Sequence, residues 1–477
     1  RHAEQDRARQ PRLPAELLER FLLRRIVFGQ PDFTGPGCRL SLTLDELEQV
    51  LLRIPGAAML ANDVRELRAL LVDRRPPRIA AIGRRGSGKS SLANALMGAN
   101  VLETGSVSDT TAWPRWIDAV HATRRLRWLD TPGLRAGDRP ERREEVRRAL
   151  SSEPPDVVIV ACKATQVDAG IDEDLTEVVW LIERQQRVGI VPPSVVGALT
   201  RVDELPPLAQ KAPPFEGEKR ANIDRATELF RGQLATRRLA ARDVLPVCTY
   251  QRFLSDGERA VDWRWNVDRL AEVIFAALPV VTHAEAARAF ESARTLRRRV
   301  ARRIVSASSG LAFIIGVTPW LPIADIALLT PLQVAMTTGI AHLGRSGMDR
   351  RAVSEWMGGL GVNVGAGFAL REAARALLKL LGPTATLSAA IAASGTWALG
   401  MAAIKYFVDG GSMEDARAAF EAARREGPPR GQHPSGLPGV DAGTDAVKAD
   451  AVPGTTTWSD DGHAGGHGEE GPGHGGA

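Results

Sequence analysis

A chain of 477 residues, 44% of them hydrophobic, is long enough for two or three domains that each bury a core. Lys and Arg number 62 against 57 Asp and Glu, a small positive excess spread along the chain, so charge gives no reason to expect a nucleic acid partner. Three well-separated cysteines, Cys38, Cys162 and Cys248, imply neither a disulfide framework nor a zinc cluster and fit a reducing cytoplasm.

In chain order, the opening stretch RHAEQDRARQPRLP lacks the apolar core of a signal peptide, so no export is expected. Residues 1–75 carry helix-period apolar positions in three pieces, the second opening on Thr43 and Glu46 at capping-box spacing. DRRPPR ends this helical segment. From 76 to 280, the runs RIAAI, RLRWLD, DVVIVAC, SVVGALT and DVLPVC alternate with amphipathic segments such as DEDLTEVVWLIERQQ, which predicts an α/β domain with a mostly parallel sheet.

A third region, 281–426, reads as all-α and hydrophobic. HAEAARAFESARTLRRRVARRIV predicts one arginine-rich helix, and between Ser306 and Leu343 the only ionisable groups are Asp325 and His342. Pro319, Pro322 and Pro331 should cut that stretch into two helical pieces. TATLSAAIAASGTWALGMAAI has about the twenty residues a spanning helix needs, and SMEDARAAFEAARR reads as a closing amphipathic helix. Residues 427–477, rich in Gly, Pro and His, have a composition expected to stay disordered.

The chemistry concentrates in RIAAIGRRGSGKSSLANALMG. GRRGSGKS satisfies G-x-x-x-x-G-K-[ST]: its glycines let main-chain N–H groups turn onto phosphates, Lys89 supplies a point charge, and the Ser90 hydroxyl can ligate magnesium. Gly83, Gly86, Ser87, Gly88, Lys89, Ser90 and Ser91 are the candidate phosphate-binding residues. The chain holds only seven lysines, and the first of them stands here, where a compact ammonium fits and a guanidinium fork does not. About forty residues on, RLRWLDTPGL ends a strand at Asp130, placed to hold the metal, with Gly133 placed to offer its N–H to the γ-phosphate. Between them Thr110 and Thr111 are candidates to close on phosphate and metal. The candidate metal set is thus Ser90, Thr111 and Asp130, and the ligand is a nucleotide with Mg2+, GTP or GDP if the base proves to be guanine.

GRRGSGKSSLANALMG, the threonine pair, LDTPGL and LTRVDEL fall in the order of the Era-like and dynamin-like P-loop GTPases, which residues 77 to about 280 resemble. The resemblance implies that Thr200, Arg201 and Asp203 form the base-reading motif, with the Asp203 carboxylate accepting from guanine N1–H and the 2-amino group. Arg201 departs from the usual Lys but keeps a cationic plane that can stack on the base. Cys248 and Thr249, in VCTY, substitute for a poorly matched fifth motif. Leu134 stands where Ras-like relatives carry a water-orienting glutamine, and Gly86 where others carry an ion-binding asparagine, so intrinsic turnover should be slow. Arg84 or Arg85 is the candidate arginine finger, in its own chain or across a homodimer formed through the GTPase domain; the expected catalytic set is Lys89, Arg85, Thr111 and Gly133.

The stretch GVTPWLPIADIALLTPLQVAMTTGIAHLG, with AIKYFVDGG later, resembles an uncharacterised membrane-associated helical domain that follows Era-like GTPase domains in many bacterial proteins. Arg294, Arg297, Arg298, Arg299, Arg302 and Arg303 would face anionic headgroups, giving membrane association through residues 305–408 at the cytoplasmic face of the inner membrane. Two functions follow: a GTP-hydrolysing switch or membrane-remodelling protein, or a soluble Era-like GTPase in RNA or ribosome assembly.

Overall fold

Helix α1 (Ala58–Leu71) forms because Leu60, Val64, Leu67 and Leu70 recur at three- and four-residue spacing on one buried stripe. After a Pro-rich connection come β1 (Arg78–Ile82), the phosphate loop and α2 (Lys89–Met97). There follow β2 (Arg115–His121), β3 (Arg124–Asp130), α3 (Pro140–Ser152), β4 (Val157–Lys163), α4 (Asp172–Arg187), β5 (Ser194–Thr200), α5 (Gly217–Thr236) and β6 (Ala241–Pro246). A small hairpin, β7 (Gln251–Phe253) and β8 (Arg259–Asp262), precedes α6 (Val267–Ala277). The computed structural model describes residues 44–45, 48–49, 51–53, 58–103, 113–132, 140–168, 171–255, 257–291, 294–317, 324–344, 350–360 and 385–428. Thr43 and Glu46, and the tail beyond 428, lie outside the described residues.

The main sheet has the order β2-β3-β1-β4-β5-β6, with only β2 antiparallel to its neighbour. Two-residue alternation divides its side chains between two cores. Ile79 and Ala81 of β1 and Val157, Ile159 and Ala161 of β4 face one core, with α2 and α6. Ala80, Ile82, Val158 and Val160 face the other, with α3, α4 and α5. This is an α/β sheet covered on both faces, and the phosphate loop follows the carboxyl end of β1, the edge at which open α/β sheets generally bind ligands. β2 carries no apolar alternation, because only Ala119 of its seven residues is buried, so its strand is set by pairing with β3 rather than by pattern.

The C-terminal part is helical: α7 (Val280–Ala289), α8 (Arg294–Val317), α9 (Ala324–Leu343), α10 (Arg350–Gly359), α11 (Ala385–Ala403), a π-helical turn Ile404–Val408 and α12 (Met413–Glu426). The last starts on a capping box between Ser412 and Asp415. Helices α8 and α11 cross closely at Gly400, where a Cβ would lie 2.4 Å from Val305 Cγ2. The first core continues through α1 and α7 into Val300, Ile304, Met336, Ile340, Leu399 and Phe407, so the apolar packing is unbroken from sheet to helices.

Two expectations are corrected. The arginine-rich segment is not one helix: it leaves helical geometry at Phe290, where the chain turns to let the Glu291 N–H donate to Leu96 O at 2.8 Å. Pro331 does not end a helix but lies inside α9, where burial of Leu332, Met336 and Ile340 holds the helix through the missing donor. Pro319 and Pro322 lie outside the described residues.

Candidate functional site

The loop from Gly83 to Gly88 is shaped by positions that only glycine fills. A Cβ on Gly83 would lie 2.1 Å from Ala161 O on the neighbouring strand, and Gly86 and Gly88 take φ of 76° and 79°. Lys89, 8% exposed, donates from Nζ to Gly83 O at 2.8 Å and Arg84 O at 3.1 Å, which centres the ammonium on the loop. The N-terminus of α2 begins at the same residue, so its unpaired N–H groups point to the same place.

Parallel pairing of β1 with β3 sets Asp130 beside Ala81. The Ser90 hydroxyl donates to Asp130 Oδ2 at 3.3 Å, and Thr131 Oγ1 donates to Ala81 O at 2.7 Å. A hydroxyl and a carboxylate, hard oxygens beside a phosphate cradle, fit Mg2+, which keeps most of its shell as water and phosphate oxygen. Thr110, Thr111, Gly133 and Leu134 lie outside the described residues.

At the end of β5 stands Thr200, whose Oγ1 lies 2.7 Å from Ser87 O and 3.2 Å from Cys162 O, and so braces the phosphate loop. Arg201 takes a left-handed φ of 54° and leads into the turn Val202–Glu204 that carries Asp203. Cys248 is fully buried and paired with Trp265 (Trp265 N to Cys248 O, 2.9 Å), with Thr249 beside it. Burial, with Asp203 nearby, pushes the Cys248 thiol up to about 12, so it stays a neutral donor.

Other residues here were not singled out from the sequence. Glu204 bridges Lys163 Nζ at 2.6 Å and Arg201 at 3.0 Å, and these two cations hold its carboxyl below the ordinary range although burial pushes the other way. Lys219, fully buried, donates to Asp203 O. The signal that could have found both lysines is the one that marked Lys89, the rarity of Lys in an arginine-rich chain. Of the two loop arginines, Arg84 lies 3.9 Å from Glu173 on α4, while Arg85 is exposed.

Helix α2 also ends in a defined way. Its last carbonyls are met from outside the helix: Ala95 O by Arg264, Leu96 O by the Glu291 N–H, Met97 O by Arg124 and Gly98 O by Arg259, at 2.8–3.0 Å. The Glu291 carboxylate in turn accepts from Arg264 at 2.6 Å and Arg259 at 2.9 Å. A Cβ on Gly98 would lie 2.0 Å from Glu291 Oε2, so the missing side chain makes room for this carboxylate.

Residues 78–191 match the family described as 50S ribosome-binding GTPase. Among solved structures, Toc33 from Arabidopsis thaliana is similar. A dimerization-deficient mutant aligns at 18% identity over 48% of this chain and 94% of that one, TM-score 0.31. Its complex with GDP and Mg2+ aligns at 19% over 46% and 92%, TM-score 0.30. Era in complex with MgGDPNP and nucleotides 1506-1542 of 16S ribosomal RNA aligns at 17% over 50% and 67%, TM-score 0.29. No curated protein matches the chain. With the phosphate loop, the Ser90–Asp130 pair and the family match in one place, the chain carries a P-loop GTPase domain, which hydrolyses GTP to GDP and phosphate with Mg2+.

Proposed function

We propose that this GTPase domain is a switch whose nucleotide state is passed to a membrane-associated helical region, at the cytoplasmic face of the inner membrane. The observation that carries the reading is α2, which starts in the phosphate loop and ends in the clamp of Arg124, Arg259, Arg264 and Glu291. Glu291 is where the chain passes from α7 toward α8, so a shift of the phosphate loop along α2 is delivered to the first residues of the helical region.

The residues divide the work. The loop N–H groups and Lys89 bind and orient the phosphates, Ser90 and Asp130 hold the metal, and Asp203 reads guanine. Mg2+, when bound, neutralises charge developing on the β- and γ-oxygens. Thr111 and Gly133 close on the γ-phosphate, and Arg85 supplies the transition-state cation, in its own chain or across a homodimer. Cys248 and Thr249 back the base.

For the membrane, the support is composition. Ala390–Val408 has mean hydropathy 1.2 and is long and apolar enough to cross a bilayer, although 67% of it is buried inside the protein. Arg299 and Arg302 of α8 offer charge to anionic headgroups. Flotation of the full chain with anionic liposomes, in GDP and in a non-hydrolysable GTP analogue, tests it: nucleotide-dependent flotation is expected, and protein that never floats removes the membrane reading. A second reading, action in RNA or ribosome assembly, has the printed description of the matching family in its favour; co-sedimentation with large ribosomal subunits rather than flotation would select it.

A further inference from the structure

Lys219 is an unusual core residue. It sits on the first turns of α5 with 0% exposure, and a buried ammonium is tolerated only where its donors are used. Nζ donates to Asp203 O at 2.6 Å and Gln210 O at 2.5 Å, and it lies 5.3 Å from the centre of the Phe215 ring. Each contact ties down a different part of the base-reading wall. The first holds the turn that presents Asp203. The second folds the Pro-rich loop after it, which is further fixed by Gln210 to Pro214 O and by Asn222 to Pro206 O.

The third contact reaches the other wall. The Phe215 ring meets Trp265 edge-on at 5.3 Å, and Trp265 is paired through its main chain with Cys248. The two segments assigned to the base, 200–203 and 248–249, come from different strand ends. Lys219 joins them, through Asp203 on one side and Phe215 and Trp265 on the other. The contact is with the Asp203 main-chain carbonyl, so Lys219 fixes the turn and leaves the carboxylate available to accept two hydrogen bonds from guanine.

We propose that Lys219 is a positioning residue for base selection: by pinning the Asp203 turn to the Phe215–Trp265 wall, it sets the preference for guanine without touching the phosphates. This rests on Asp203 reading the base. The test is Lys219→Met, which keeps the length and apolar bulk of the stem and removes the ammonium. Full-length wild type, Lys219→Met and Asp203→Asn are titrated with GDP, ADP and xanthosine diphosphate. GDP and ADP share the same phosphates, so their affinity ratio isolates the base end.

Lys219→Met is expected to lower the GDP-over-ADP ratio about tenfold or more with ADP affinity unchanged, as the loss of one aligned hydrogen-bonding arrangement predicts. An unchanged ratio, or equal loss for both nucleotides, overturns the proposal. Asp203→Asn reports on the underlying reading separately. Its amide can donate to the 2-oxo group of xanthine, so a preference moving to xanthosine diphosphate supports Asp203 as the base reader, and no movement removes it whatever Lys219 does. Should Lys219→Met not fold, Phe215→Leu removes the ring but keeps both carbonyl bonds. A ratio lowered at least about threefold supports the same assignment, and an unchanged one overturns it.

Discussion

Arg85 and His283 show how much a single side chain is asked to do. Arg85 is exposed on the phosphate loop, whereas Arg84 is half-buried 3.9 Å from Glu173, so Arg85 is the more accessible of the two to bound phosphates or to a second copy. Arg85→Ala should lower GTP turnover at least about tenfold while GDP affinity stays within about threefold, since the finger acts on the transition state. Single-turnover hydrolysis beside equilibrium titration measures both, and unchanged turnover ends the assignment. His283 lies at the root of the helical region, stacked on Phe275 at 4.3 Å, with Nε2 donating to Leu278 O at 3.0 Å and Nδ1 accepting from Arg303 at 3.2 Å. Protonation would aim an N–H at a guanidinium. Burial, then Arg303 and Arg299, push its pKa down from 6.5 to about 4.

The folded pKa lies below the unfolded one, so the unfolded chain takes up a proton first as pH falls through about 6.5. Stability is therefore undiminished above that pH and is lost progressively down to about pH 4, by on the order of 3 kcal/mol from this group. His283→Gln should flatten the part of the stability curve between those two values. Chemical denaturation at several pH values reads this, and an unaltered slope would show that His283 does not carry it.

At the scale of elements, the α8–α11 crossing depends on Gly400, because Val305 occupies the place of its absent Cβ. Gly400→Ala should destabilise the helical region by about 1–3 kcal/mol through overpacking. Val305→Ala in the same chain should recover most of that loss, a coupling visible as a non-additive double-mutant cycle in thermal unfolding. Strict additivity would mean that the two helices do not meet there.

The elements also show what pattern alone reveals. SVVGALT corresponds residue for residue to β5, and RIAAI to β1, because buried parallel strands are short apolar runs with sharp ends. The phosphate loop was readable for a local reason, its glycines being required by main-chain geometry within a few residues. β2 and the β7–β8 hairpin carry no such signature: they are short, polar and held by pairing. The break at Phe290 and the continuity through Pro331 are set by partners distant in sequence, as are the roles of Glu204 and Lys219, and no local pattern encodes a partner.

At the scale of the whole molecule, the Glu291 clamp predicts that nucleotide state is felt beyond the GTPase domain. Hydrogen exchange of α8 peptides should differ between GDP and a non-hydrolysable GTP analogue. Glu291→Ala should shrink that difference by half or more without abolishing GTP binding, because the phosphate loop itself is untouched. A difference of the same size in the variant would place the connection elsewhere.

The end of α2 has one more consequence. A helix is a dipole with its negative pole at the last carbonyls, and here three guanidinium groups, from Arg124, Arg259 and Arg264, lie against that pole while the other opens from the phosphate loop. Linkage between two sites is reciprocal in binding free energy. If nucleotide tightens the grip of Glu291 and its arginines by some factor, then anything that docks on the helical region and loosens that grip must weaken nucleotide binding by the same factor. A partner engaging the helices could thereby expel GDP without approaching the phosphate loop, and the seat of nucleotide exchange would be the far pole of the helix that holds it.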